Sequence, residues 1–245
     1  MTAPLFLVPA GSLPEGTAEV RLDGPEGRHA ADVQRLGPGE QVLLADGAGR
    51  YAVCTVSQAH RGALDLCVEE LGDQPPAPLR LVLVQALAKG DRDLLAVESA
   101  TELDVDEVLP WQADRSIVRW RGERAEKAHR KWEQTVVAAT KQSRRVRVPD
   151  VGPLVHRAGL LARVGSADLA LVLHESASRP LTEVTLPEAG EVLLVVGPEG
   201  GVSDDELAAL TAAGAVAVRL GSTVLRTSTA GAAALAVLHT RAGWR

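Results

Sequence analysis

EVLLVVGPEGGVSDDEL, residues 191–207, decides the fold class. Its apolar run reads as a buried strand ending at Gly197. The chain then passes through Pro198-Glu199-Gly200-Gly201, and Ser203 starts a helix with Glu206 three residues on, the spacing of a capping box. Glycines at the C-terminal end of a strand let backbone approach a bound molecule closely, and the crevice beyond such strand ends is where open α/β sheets bind ligands. A plain strand-to-helix turn has the same pattern, so both readings stay open on these residues alone. The glycines do not make GxGxxG, the next strand does not end in an acidic residue, and GKS or GKT is absent, so a dinucleotide site fits poorly and a P-loop is excluded.

Downstream, VRLGSTVLRTSTAGAAA (218–234) repeats the arrangement. A strand ends at Leu220-Gly221, a loop presents Ser222, Thr223 and Arg226, and a last helix begins near Thr227. Two adjacent strand ends, each followed by a glycine-containing loop, would form two sides of one pocket with Arg226 as its polar group. Upstream, apolar runs alternate with helical patterns: LRLVLVQAL, a helix over about 91–103, VDEVLPW, a helix over about 122–142, and DLALVLHE. Strands apolar on both faces and separated by helices predict an α/β domain with a covered parallel sheet.

The prolines of GDQPPAP (72–78) deny both helix and ladder hydrogen bonds, which makes this segment a linker. Before it, LFLVP, AEVRL, QVLLA, YAVCTV and ALDLCVEEL read as short strands, with Asp46-Gly47 and Ala48-Gly49 at a hairpin turn and one short helix over 28–36. The chain therefore divides into a small β-barrel, residues 1–73, and an α/β domain, residues 74–245.

With 245 residues and 46% apolar content, each unit has enough to build a core. The longest apolar stretches run about half of the ~20 residues that a membrane span needs, and a cytoplasmic protein is expected. Cys54 and Cys67 stand among apolar and β-branched residues with no CxxC or Cys/His spacing, so both are expected to be small buried hydrophobes and no metal site is expected. The formal charge of −6 hides an uneven distribution: residues 115–147 hold eleven Lys/Arg against three Glu, whereas residues 1–72 hold five Arg against ten Asp/Glu. One basic stretch carries the polyanion signal.

GPEGGVSDDE and LGSTVLRTSTA together resemble the paired cofactor-loop motifs of the bacterial 16S ribosomal RNA uridine N3-methyltransferases, a SPOUT family. The resemblance extends through ALAKGDRDLLAVESATELDVDEVLPW (86–111), RAEKAHRKWEQTVVAATKQSRRVRVPDV (124–151) and RHAADVQRLGPGE (28–40), and so covers almost the whole chain. It departs at Ser99, where the family usually has Lys, at Asp104, where it has Gly, and at Lys141 and Ser228, where it often has Glu. The resemblance implies a dimeric catalytic domain with a C-terminal trefoil knot, a PUA-like or OB-like N-terminal barrel, and methylation of uridine N3 in the decoding region of 16S ribosomal RNA.

It further implies S-adenosylmethionine as cofactor, held by Leu173, His174 and Glu175, by Gly197, Pro198, Glu199, Gly200 and Gly201, and by Leu220, Gly221, Val224 and Leu225. Uracil N3 carries a proton in the neutral base, so its methylation needs either a general base or stabilisation of the anion. Glu199 and Arg226 are the respective candidates. Arg28, Arg35, Arg124, Lys127, Arg130, Lys141, Arg144 and Arg145 are the candidate RNA contacts. The final helix, with hardly any polar face, predicts a homodimer. A methyltransferase acting on another RNA site, a nucleotide-dependent oxidoreductase lacking its fingerprint, and a non-catalytic RNA-binding assembly protein are the competing readings.

Overall fold

The computed structural model describes residues 3–243, which cluster into two compact units. One comprises the chain up to Pro76 together with Thr140–Val148; the other comprises Ala77–Ala139 and the chain from Pro149 onward. The short basic stretch 140–148, which the sequence reading leaves in the second domain, therefore belongs with the first.

The first unit is a five-stranded sheet, among the described residues, in the order β1 (Leu5–Leu7), β3 (Gln41–Ala45), β4 (Arg50–His60), β5 (Ala63–Asp73), β2 (Glu19–Leu22). The β1–β3 pair is parallel and the others are antiparallel. Register shifts at Val53/Cys54 and Val56/Gln58 bend the long β4–β5 hairpin, as bulges do. The Asp46 carboxylate accepts from the N–H groups of Ala48 (2.8 Å) and Arg50 (3.1 Å) and fixes the β3–β4 turn. Phe6, Val42, Leu44, Cys54, Leu64 and Leu66 fill the core.

Two expectations change here. The helix starts earlier than residue 28: α1 (Gly24–Arg28) continues as a π-type turn over His29–Val33. Pro25 sits in the first turn, where a missing N–H costs nothing, and Gly27 lets the helix lie against the Leu22 carbonyl, 2.5 Å from where a Cβ would stand. The chain then leaves at Arg35 with φ +59°. Only Cys54 is buried; Cys67 is exposed, because it alternates with buried Leu64 and Leu66 and so faces the other side of β5. Burial pushes the Cys54 thiol up to about 11.

The second unit is a six-stranded parallel sheet, among the described residues, in the order β11 (Val216–Val218), β9 (Leu169–Leu173), β10 (Gly190–Val196), β6 (Leu79–Ala86), β7 (Glu107–Trp111), β8 (Asp150–Val151). The central β6 and β10 are buried along most of their length. The helices α2 (Arg92–Glu102) and α6 (Thr227–Ala242) pack together on one face of the sheet, where Gly231 lies against Leu83 and Val196. Packed on the other face are α4 (Arg157–Ser166) and α5 (Asp204–Ala212), around Val82, Val84, Leu160, Val164, Leu193 and Leu210. The long α3 (Glu123–Ser143) buries Trp132, Val136 and Ala139, which follow one another at spacings of four and three along one stripe. From β6 to β8 the strands step outward in chain order. The chain then crosses to β9, and β10 returns to fill the place between β9 and β6. That reversal is a topological switch point, where an open sheet leaves a crevice beyond its strand ends.

Candidate active site

Three strand ends meet at that crevice and enclose a cavity of about 520 Å³. From β9 come Leu173, His174 and Glu175. From β10 come Gly197, Pro198, Glu199, Gly200 and Gly201, and the loop after β11 adds Leu220, Gly221, Val224, Leu225 and Arg226. All the residues that the sequence reading assigned to a cofactor thus line one cavity, together with Arg92 and Thr227.

The β10 loop is shaped by its glycines and its braces. A Cβ on Gly197 would stand 2.9 Å from the Val202 side chain, and Gly201 has φ +72°. Ser203 caps α5, its Oγ accepting from the Glu206 N–H while the buried Glu206 carboxylate accepts from the Ser203 N–H (3.1 Å) and the Asp114 N–H (2.7 Å). Arg115 donates to the carbonyls of Gly200 (3.1 Å) and Val202 (3.5 Å). Glu199 Oε1 accepts from the Lys89 N–H and from Arg92, each at 2.9 Å. Burial raises the pKa of Glu199, but the N–H groups of Glu199 and Lys89 and the Arg92 guanidinium outweigh it and hold the carboxyl below its ordinary value.

At the base of both loops lies a buried relay. The Gln85 side chain, fully buried at the end of β6, donates to Thr227 Oγ1 (2.9 Å), which donates to the Gly197 carbonyl (2.7 Å). This ties the start of α6 to the end of β10. Arg226, the residue before α6, is exposed, and its guanidinium has no hydrogen bond or ion pair among the described residues.

A family model described as an RNA methyltransferase domain matches residues 75–239, and one described as an RNA methyltransferase PUA domain matches residues 22–68. Among curated proteins, the chain is 48% identical to ribosomal RNA small subunit methyltransferase E of Mycobacterium bovis, over 96% of this chain and 90% of that protein. It is 29% identical to the protein of the same name from Bacillus subtilis, over 89% and 88%. A crystal structure of ribosomal RNA small subunit methyltransferase E from Neisseria gonorrhoeae, bound to S-adenosyl methionine, superposes with a TM-score of 0.84 at 28% identity, covering 98% of each chain. The chain belongs to this RNA methyltransferase family.

In this RNA methyltransferase the candidate RNA contacts fall in both units. Arg28, Arg35, Arg144 and Arg145 are in the first unit, and Arg28, Arg35 and Arg144 are exposed. Lys141, also in the first unit, differs from expectation: its ammonium pairs with Glu26 at 2.7 and 2.8 Å and lies 5.9 Å from the centre of the Phe6 ring, so it is committed to holding α1. Arg124, Lys127 and Arg130 are exposed on the part of α3 within the second unit, with Arg130 3.8 Å from Glu126.

Sequence reasoning missed Gln85, Arg92, Arg115 and Thr227. Gln85 had a signal: it is the one polar residue in the run LVLVQAL. The roles of Arg92 and Arg115 follow from β6 and β7 lying on one side of β10, an order that no local pattern carries.

Proposed function

We propose that this RNA methyltransferase transfers a methyl group from S-adenosylmethionine to N3 of a uridine in 16S ribosomal RNA of the small subunit, on a SPOUT-type, trefoil-knotted catalytic domain. The observation that carries the reading is the convergence of three strand ends and a free guanidinium on one cavity.

The cavity fits the cofactor. Its volume lies within the range of small-molecule sites, roughly 300–1,000 Å³, and its walls offer backbone donors and acceptors from three loops. Bound there, S-adenosylmethionine supplies an electrophilic methyl group. The residues Leu173 to Glu175, Gly197 to Gly201 and Leu220 to Leu225 would hold it.

The chain itself must make uracil N3 nucleophilic. Arg226, unneutralised at the cavity among the described residues, stabilises the negative charge that spreads over N3 and the two ring carbonyls once the N3 proton has passed to solvent water. Glu199 suits a different task from the proton removal suggested by its sequence position. A carboxylate held below its ordinary pKa by three donors accepts a proton reluctantly, so Glu199 fixes the β10 loop to Lys89 and Arg92. RNA is held by Arg28, Arg35, Arg144 and Arg145 of the first unit and by Arg124, Lys127 and Arg130 of the second.

The active form is a cytoplasmic homodimer. On α6, Ala230, Ala234, Leu235 and Leu238 are buried, whereas Ala232, Ala233, Ala236 and Val237 form a half-exposed apolar flank that a second copy would cover. No helix among the described residues is long and apolar enough to cross a membrane.

Mass spectrometry of digested 16S ribosomal RNA tests the reading. Cells lacking the protein should lose N3-methyluridine at one position, and plasmid-borne protein should restore it. An unchanged level refutes the assignment, and loss of another modified nucleoside would favour a different RNA site.

A further inference from the structure

The loop between β7 and α3, QADRSIVRWRG (112–122), presents Ile117 at 72% exposure. A single exposed apolar side chain is common, but three further observations set this one apart. The loop is anchored on both sides of Ile117: Ser116 and Trp120 are buried, the Ser116 N–H donates to the Ala113 carbonyl (3.1 Å) and the Trp120 N–H to the Gln112 side chain (3.0 Å). Trp120 also packs edge-on against Trp132, with ring centres 5.5 Å apart. Ile117 is therefore exposed on a fixed support.

The loop also keeps a full positive charge. Arg115, Arg119 and Arg121 pair with no carboxylate among the described residues, because Arg115 and Arg119 spend their donors on neutral carbonyls. The loop's own acid, Asp114, is neutralised by Arg157 at 2.5 Å. Finally, the bond from Arg115 to the Gly200 carbonyl sets the loop against the cavity wall. An apolar tip among unneutralised guanidiniums, beside the cavity to which the proposed reaction must bring a single base, has the chemistry of a nucleic-acid wedge: a cation holds phosphate while the apolar group takes the place of a stacked neighbour.

We infer that Ile117 is such a wedge. It packs against the base step next to the target nucleotide while Arg121 holds a flanking phosphate, so that the target base is presented to the cavity out of its stack. The inference rests on the RNA-methylating reading of this site, and it assigns the 112–122 loop to RNA rather than to a second copy of the chain.

An RNA hairpin with 2-aminopurine beside the target uridine tests it, because the probe brightens when unstacked. The parent protein should raise the fluorescence and methylate the hairpin. Ile117→Ala, a change at an exposed side chain that leaves the fold intact, should bind the hairpin with the same salt slope and bind S-adenosylmethionine with unchanged heat. It should nevertheless fail to raise the fluorescence and lose roughly tenfold in single-turnover methyl transfer. Arg121→Ala should instead flatten the slope of log K against log salt by about 0.7. Full fluorescence and rate in Ile117→Ala would overturn the wedge, as would a change in its sedimenting mass, which would give the side chain to a second copy. A parent protein that binds S-adenosylmethionine but methylates neither the hairpin nor small subunits from cells lacking the protein would remove the functional reading itself, and the wedge with it.

Discussion

The two glycine loops that wall the cavity are built to opposite plans. The one after β10 is braced at almost every residue, by Lys89 and Arg92 on Glu199, by Arg115 on the Gly200 and Val202 carbonyls, and by the reciprocal cap between Ser203 and Glu206. The one after β11 is exposed from Gly221 to Arg226, with Val224 at 77%, and among the described residues its hydrogen bonds lie only at its ends. A braced loop presents a finished surface, whereas an unbraced one gives up freedom when it closes on a ligand. In the proposed reaction the first loop would set the cofactor's position, and the second, which carries Arg226, would bring its charge to the reacting base as it orders.

The largest effect is expected at Arg226. Arg226→Ala should lower kcat by about 10²–10³, as loss of one stabilising group on a developing anion does, with cofactor affinity almost unchanged. Single-turnover methyl transfer beside calorimetric titration separates the two, and an equal loss of cofactor affinity would show that Arg226 only walls the pocket. Next come the glycines. Gly200→Val and Gly221→Val should both abolish measurable cofactor binding, but only the first should lower the melting temperature. Its Cβ would stand 3.2 Å from that of Arg115, an overpacking of about 1–3 kcal/mol, whereas a Cβ on Gly221 would meet no atom within 4 Å among the described residues beyond its chain neighbours. Equal melting temperatures would erase the contrast between the loops.

A smaller loss is expected at Glu206, whose buried carboxylate serves both the α5 cap and the Asp114 N–H. Glu206→Ala should destabilise by about 1–3 kcal/mol, read by denaturant titration, and should raise the KM for the cofactor more than it lowers kcat. The smallest effect is a pH dependence. Because the folded pKa of Glu199 is depressed, its contribution to stability is full above the usual carboxylate range and fades as pH falls through the lowered folded value. Glu199→Gln should therefore melt at a temperature that varies less with pH on the acid side than the parent does, while the two curves run parallel above pH ~6.

Much of the site was legible in the chain. The capping-box spacing of Ser203 and Glu206, the apolar run before Gly197 and the glycines after it are local signals, and the structure shows each as a local feature. Local signals failed where a partner decided the outcome. Lys141 reads as an RNA contact until Glu26 and Phe6 stand beside it. Cys67 reads as buried until the register of β5 turns it outward, and α4 went unread because only Leu160 and Val164 on its surface are buried, too sparse a stripe to stand out.

By itself the sequence determined most of the elements, α4 excepted, and their order, because a strand apolar on both faces, a capped helix start and a proline linker are each specified by neighbours in the chain. It also determined that one basic stretch lies in an otherwise acidic protein. The tertiary structure alone decided that β10 returns between β9 and β6, and so which loops share a cavity. It likewise decided that Glu199 is pinned while the Arg226 guanidinium has no partner among the described residues, and that Arg115 leaves the general basic stretch to brace a glycine loop. The reason is physical: secondary structure is set by forces acting over a few residues, but a carboxylate's pKa, a guanidinium's freedom and a pocket's walls depend on groups a hundred residues away in the chain, as Lys89 and Glu199 are.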